Sequence, residues 1–246
     1  MRHLRIGYRL VLLSLVVSAG SLFTVIFQSG SMPPTGLRSR VTRWWHSGIA
    51  RSLGISIRVY GTPRKDNTLF ISNHISSFDI AAVGSILPVH FLSKQEVKHW
   101  PVIGWLATRA GTIYIPRGGK DAAVNANQNM AEILQRDHNV LLFAEGTTTD
   151  GTVKRFHSRL VQSAVDSNSH VQPVAIRYPD PSGGLTHPAA LYIEDMSFGE
   201  TFNRMLSATD LVVEIYFGEA ISAENKSRTE LARHAESEVR KLLNQH

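Results

Sequence analysis

From Ile55 onward, short runs rich in Val, Ile, Leu and Phe alternate with longer segments of helical period. Strand-like runs fall at 56–60, 68–72, 90–93, 112–115, 140–144, 171–177, 190–193 and 211–217. Helical patterns occupy 78–87, 101–109, 122–137, 158–167, 202–208 and 223–244. Parallel strands need long crossover connections, usually helices, so this alternation predicts an α/β fold. The expected architecture is a mixed, largely parallel central sheet flanked by helices. In such sheets reactive groups gather where strands give way to loops.

A different segment precedes this pattern. Residues 10–27 carry no charge, and as a helix their 18 residues would span about 27 Å, close to a bilayer's hydrocarbon thickness. The segment reads as a retained membrane anchor, with a cleaved leader of an exported protein as the competing reading. Arg2, Arg5, Arg9, Arg38, Arg40, Arg43 and Arg51 flank it, within a chain of net charge +6. That arrangement suits lipid headgroups, and no basic-aromatic stripe of the base-stacking kind is present, so nucleic acid is not expected. A Gly/Pro/Ser break at 28–36 leads to 37–53, where Trp44 and Trp45 stand among arginines, as at a membrane interface. The chain is expected to divide into an N-terminal membrane-anchoring helical segment, 1–53, and a body, 54–246. With no cysteine, disulfides and thiolate chemistry are excluded. Eleven histidines include no His-Glu-x-x-His or other close ligand pair, so no metal site is expected.

Three polar clusters follow expected strands: His74 with Asp79, Pro116-Arg117, and Glu145-Gly146-Thr147. A neutral imidazole can take a proton from a hydroxyl, and a carboxylate can fix its tautomer. Five residues of ideal helix would set the pair about 140° apart, so a strand, a turn and a helix start are needed to join them. Ser76-x-x-Asp79 also fits a helix-capping box, which by itself would explain the aspartate. No Gly-x-Ser-x-Gly elbow is present, so an acyl-serine intermediate is not indicated.

These clusters, with Val171-Gln172-Pro173-Val174, resemble in order and spacing the four blocks of the glycerolipid acyltransferases, most closely the PlsC-type lysophosphatidate acyltransferases. Ser93-Lys94-Gln95-Glu96 and 101–104 add to the likeness, which covers 55–178. The resemblance implies transfer of an acyl group from acyl-CoA or acyl-carrier protein, as donor substrate with no further cofactor, to the free hydroxyl of a membrane lysoglycerophospholipid of the 1-acyl-sn-glycerol-3-phosphate type, with lyso-ornithine lipid as the alternative acceptor. It implies His74 as general base and Asp79 as its orienting acid, with Lys94, Arg117, Glu145, Gly146 and Thr147 in substrate binding. It also implies an enzyme of the inner, cytoplasmic membrane with its site facing the cytoplasm. Thr148 stands where phosphatidate-forming members carry arginine, and the run Glu-Gly-Thr-Thr-Thr-Asp-Gly is more similar to branches acting on other lysolipids, including lyso-ornithine lipid. A non-catalytic membrane-surface module would account for the N-terminus but not for the ordered strand-end clusters. Oligomeric state is left open.

Overall fold

A computed structural model describes residues 1–26, 36–116, 121–193 and 196–245. Of the expected break at 28–36 only Gly36 falls within them, and Arg117 lies outside them. The helices are α1 (Arg2–Ile26), α2 (Leu37–Ser52), α3 (Asp79–Ile86), α4 (Ile103–Arg109), α5 (Ala122–Gln135), α6 (Gln162–Asp166), α7 (Phe198–Ser207) and α8 (Arg228–Asn244). The strands are β1 (Ser56–Tyr60), β2 (Thr68–Ser72), β3 (Val89–Lys94), β4 (Ile113–Ile115), β5 (Asn139–Phe143), β6 (His170–Arg177), β7 (Val212–Phe217) and β8 (Ile221–Ser222).

They form one sheet in the order β1-β7-β6-β2-β5-β3-β4, with β8 added beside β6. β6, β2, β5, β3 and β4 pair in parallel. β7 and β8 run antiparallel to β6, and β1 follows β7. The sheet is therefore mixed and largely parallel. Pro173 interrupts β6 without breaking it. Its missing N–H lies on the side where β7 gives way to β8, and its carbonyl accepts from Gly218 N there (3.0 Å).

β2 explains why the central strands read as continuous apolar runs. It is buried along its whole length. Phe70 points into a cluster with Val83 of α3 and Met205 of α7, while Leu69 and Ile71 meet Met130, Leu134 and Val239 of α5 and α8. A strand covered on both faces has no polar side to alternate.

Three sequence expectations are corrected. Residues 190–193 form no strand, because their carbonyls accept from side chains instead: Leu191 O from Thr201 Oγ1, and Tyr192 O from Thr148 Oγ1. α7 begins four residues earlier than the pattern suggested, where Ser197 Oγ caps Glu200 N. The last helix starts only at Arg228, fixed by a reciprocal Ser227–Glu230 capping box.

α1 is long and apolar enough to cross a membrane by length and composition. One stripe, with Ile6 and Leu13, packs on the core, and the opposite stripe of Leu4, Tyr8, Val11, Leu15 and Leu22 is exposed. Between these apolar residues Arg9 Nη1 donates to the carbonyls of Met205, Leu206 and Ala208 (2.7–3.1 Å), satisfying the open C-terminal end of α7. The two tryptophans of α2 diverge. Trp45 Nε1 donates to Val16 O of α1, while Trp44 is exposed. Ala50 and Leu53 at the end of this segment belong to the main core.

Candidate active site

The parallel strands all deliver their C-terminal ends to one edge, and the motif residues collect there. β2 ends at Ser72, and Asn73 ties that end down. Its amide accepts from Ile176 N (2.8 Å) and donates to Ile176 O (2.9 Å), imitating one more strand residue against β6. The chain then turns through His74 and enters α3 at Asp79. Strand, turn and helix start thus bring together two residues that one helix would hold apart. His74 Nδ1 lies 2.8 Å from Asp79 Oδ2.

Asp79 is fully buried, with its carboxylate surrounded by hydrogen-bond donors. Oδ2 also accepts from Ile75 N (2.9 Å) and Ser76 N (3.1 Å), and Oδ1 accepts from the Tyr178 hydroxyl (2.8 Å). Half of the capping box therefore forms: the acid accepts from Ser76 N, but Asp79 N donates to Ser76 O rather than to the serine hydroxyl. Capping and orienting are done by the same oxygen. Because a carboxylate only accepts, Nδ1 is the donor in this contact, and in the neutral ring that tautomer leaves the lone pair on Nε2. Burial, together with the neighbouring Asp79 charge, holds the Tyr178 phenol well above its usual range, so it stays a donor.

The imidazole is further fixed by Phe143 at the end of β5, stacked on it at 3.9 Å between ring centres and 13° between planes. A part of the ring remains accessible, with the side chain 17% exposed. Among the described residues no protein group hydrogen-bonds Nε2. The arrangement can take a proton from a hydroxyl brought to that nitrogen.

Glu145, from the loop after β5, is buried beside it. Oε2 accepts from His74 N (2.8 Å) and Oε1 from Lys154 N (2.7 Å). Its carboxyl is pushed upward by burial, an effect that these two backbone N–H groups oppose. The same loop holds the turn from below, Thr149 N donating to His74 O (2.8 Å). Gly146 takes a φ of +70°, and a Cβ there would meet nothing closer than His157 Cδ2 at 3.7 Å. The glycine is required by the backbone's left-handed turn, not by crowding. Gly146 and Thr147 are exposed on the rim, as is Lys94 at the end of β3. Thr148 uses its hydroxyl on Tyr192 O, joining this loop to the segment before α7.

His74, Asp79, Glu145, Gly146 and Thr147 are thus brought to one place, with Lys94 on the same sheet edge. Sequence reasoning passed over Tyr178 and Phe143 as site residues. Phe143 ends β5 and Tyr178 directly follows β6 at this edge, so the strand-end rule could have flagged them, but neither carries a charge to attract attention.

A carboxylate-fixed imidazole at the C-terminal edge of a mixed, largely parallel sheet gives an α/β fold carrying a group suited to general acid–base chemistry. A family model described as Acyltransferase matches residues 56–177. A lyso-ornithine lipid O-acyltransferase of Pseudomonas aeruginosa is 41% identical over 210 residues, covering 85% of this chain and 80% of that protein. A 1-acyl-sn-glycerol-3-phosphate acyltransferase of Neisseria meningitidis is 33% identical over 201 residues, covering 80% and 78%. The crystal structure of the 1-acyl-sn-glycerophosphate acyltransferase PlsC from Thermotoga maritima superposes with a TM-score of 0.70 at 19% identity, over 99% of this chain and 96% of that one. The chain belongs to the acyltransferase family and is an O-acyltransferase.

Proposed function

We propose that the enzyme esterifies the free hydroxyl of a membrane lysolipid with an acyl group from acyl-CoA or acyl-carrier protein, without an acyl-enzyme. His74 Nε2 takes the acceptor's hydroxyl proton while the oxygen attacks the thioester carbonyl. The new C–O bond forms, the C–S bond breaks, and the imidazolium returns its proton to the departing thiolate. Asp79 keeps the ring in the required tautomer and balances the imidazolium charge. The single observation behind this reading is the 2.8 Å contact between His74 Nδ1 and a fully buried Asp79.

Glu145 acts as a positioning residue, since its oxygens hold the backbone of the His74 turn. Gly146, Thr147 and Lys94 line the acceptor or donor side of the rim, and Arg117, from sequence alone, is assigned to an anionic group. The exposed apolar stripe of α1 supports membrane association. The arginines at its start favour an inner-membrane enzyme facing the cytoplasm.

For the acceptor we favour lyso-ornithine lipid. The relative at 41% identity carries that name, and Thr148 stands where an arginine would pair with a phosphomonoester. Its hydroxyl serves the Tyr192 carbonyl and supplies no guanidinium. Lysophosphatidate is the second reading, supported by the Neisseria relative.

The test is turnover of the purified full chain with labelled acyl-CoA or acyl-carrier protein against lyso-ornithine lipid, lysophosphatidate and other lysophospholipids. Lyso-ornithine lipid is expected to be acylated fastest, and a preference for lysophosphatidate would reverse the acceptor assignment. His74→Ala is expected to lose about 10² to 10⁴ in rate while remaining on membranes. Unchanged turnover would remove His74 from the mechanism.

A further inference from the structure

The body of the enzyme carries an apolar surface that neither the core nor the active site uses. After β3 the chain makes a 3-10 turn (Gln95–His99) and then runs Trp100-Pro101-Val102-Ile103 into α4. All four of these residues are exposed, and so is Trp105 two residues further on. An uninterrupted exposed apolar run of this kind is out of place on a surface facing only water.

Its backbone is odd as well. Val102 has φ +59° and ψ −56°, with Ile103 N donating to Pro101 O at 2.6 Å, a strained γ-turn. A β-branched residue is a genuine outlier at positive φ, where glycine would sit without strain. Yet the position carries valine, and the residue is 49% exposed. Neither backbone preference nor core packing explains that choice, whereas a use for the side chain outside the protein does. Gly104 lets the tip fold back: a Cβ there would lie 2.3 Å from Lys98 O.

Behind the tip, α4 packs beside α1. Leu106 and Ala110, on the covered side of α4, line a cleft with Gly20, Phe23 and Thr24 of α1. On its other flank Trp100 packs on exposed Phe198 (5.5 Å between ring centres), which in turn meets Phe78, the residue before Asp79 (5.9 Å). Around it the segment 94–109 carries Lys94, Lys98 and Arg109 against one acid, Glu96. Paired tryptophans, exposed aliphatic side chains and a net basic margin are the composition of a surface that enters a lipid interface.

Building on the membrane-associated reading above, we propose that Trp100, Val102, Ile103, Trp105 and Phe198 form a second bilayer contact, on the catalytic body itself and separate from the N-terminal helices. Phe78 and Phe198 connect this contact to the start of α3, so the body is seated with the His74 edge at the lipid surface. An acceptor then reaches Nε2 from the bilayer without leaving it.

The chain has no cysteine, which permits clean single-site labelling. Ile103→Cys, Leu15→Cys on the exposed stripe of α1 and Glu224→Cys beyond β8, at the opposite edge of the sheet, each carry a polarity-sensitive fluorophore. The full-length variants are placed on vesicles of phosphatidylcholine with one quarter phosphatidylglycerol, and turnover in detergent checks that each is folded. Brominated lipid is expected to quench Ile103→Cys about as well as Leu15→Cys and several-fold more than Glu224→Cys. Quenching at Leu15→Cys with Ile103→Cys as unaffected as Glu224→Cys would overturn the second contact and leave the anchor standing. Quenching at neither position would overturn both. A label at Ile103→Cys shielded from aqueous iodide but untouched by brominated lipid would mean a protein covers the tip, which also overturns the proposal.

Discussion

Asp79 shows how much one carboxylate does at this site. Its Oδ2 takes the His74 ring and two backbone N–H groups, and Oδ1 takes the Tyr178 hydroxyl. In Asp79→Asn the amide can still satisfy the backbone donors and face its NH₂ to the tyrosine oxygen, so the fold is expected to survive. The imidazolium loses its counter-charge, and turnover is expected to fall by on the order of 10² to 10⁴. Melting temperature and turnover measured together check this: a lower melting temperature with turnover retained would reduce Asp79 to a helix cap. Tyr178→Phe leaves a buried carboxylate oxygen one donor short. A stability loss of about 1–3 kcal/mol is expected, with a smaller fall in turnover and KM unchanged, read by denaturant unfolding and steady-state kinetics. The charged pair was legible in the sequence because two ionisable residues flank a turn after an apolar run. Tyr178 was not, because nothing local to residue 178 reveals that β6 lies beside β2. Only the strand order puts its hydroxyl on Asp79.

The loop after β5 lies beside His74, and its sequence signal said little about the contacts it makes there. Glu145-Gly146-Thr147 reads as a turn that could touch substrate, whereas Glu145 directs both oxygens at backbone N–H groups of two segments. Glu145→Gln replaces one acceptor by a donor facing another donor, so one N–H, of His74 or Lys154, goes unpaired. The expected result is a loss of about 1–3 kcal/mol in stability and a lower kcat, with KM for the acceptor little changed. A rise in KM with kcat kept would instead place Glu145 in contact with the acceptor. The fold was legible wherever burial sets the pattern, as in β2, β5 and β6, whose apolar runs mark strands covered on both faces. It was misread where side chains replace strand partners: residues 190–193 have strand composition, but Thr148 and Thr201 satisfy carbonyls there that a neighbouring strand would have taken. The two-residue β8 carries too short a pattern to be seen at all.

At the scale of the whole molecule, the joint between the N-terminal helices and the body contains a titratable group. His46 of α2 is buried against Gly84 of α3 and Phe91 of β3, with Nδ1 donating to Thr42 O (3.0 Å). Burial lowers it to about 4, the Thr42 carbonyl opposing only in part. His90, whose Nε2 is buried without a partner among the described residues, is lowered in the same direction by burial. A histidine lowered in the folded state is neutral there while the unfolded chain takes up a proton at about 6.5. Its contribution to stability is thus complete above that value and drains away as pH falls toward the folded value near 4. For His46 alone the span amounts to about 3 kcal/mol, a large share of a typical folding free energy of about 5–15 kcal/mol. Denaturant unfolding of the full chain in detergent, followed from about pH 7 to about pH 4, is expected to lose stability throughout this window. In His46→Leu the slope should be shallower by about one proton, or about 1.4 kcal/mol per pH unit. An unchanged slope would mean that the α2–α3 joint opens before the rest of the fold, giving His46 water and a proton while the body stays intact. Hydrogen exchange at α2 against the central strands separates that outcome from a joint that holds until the whole molecule unfolds, since only early opening would deprotect α2 alone.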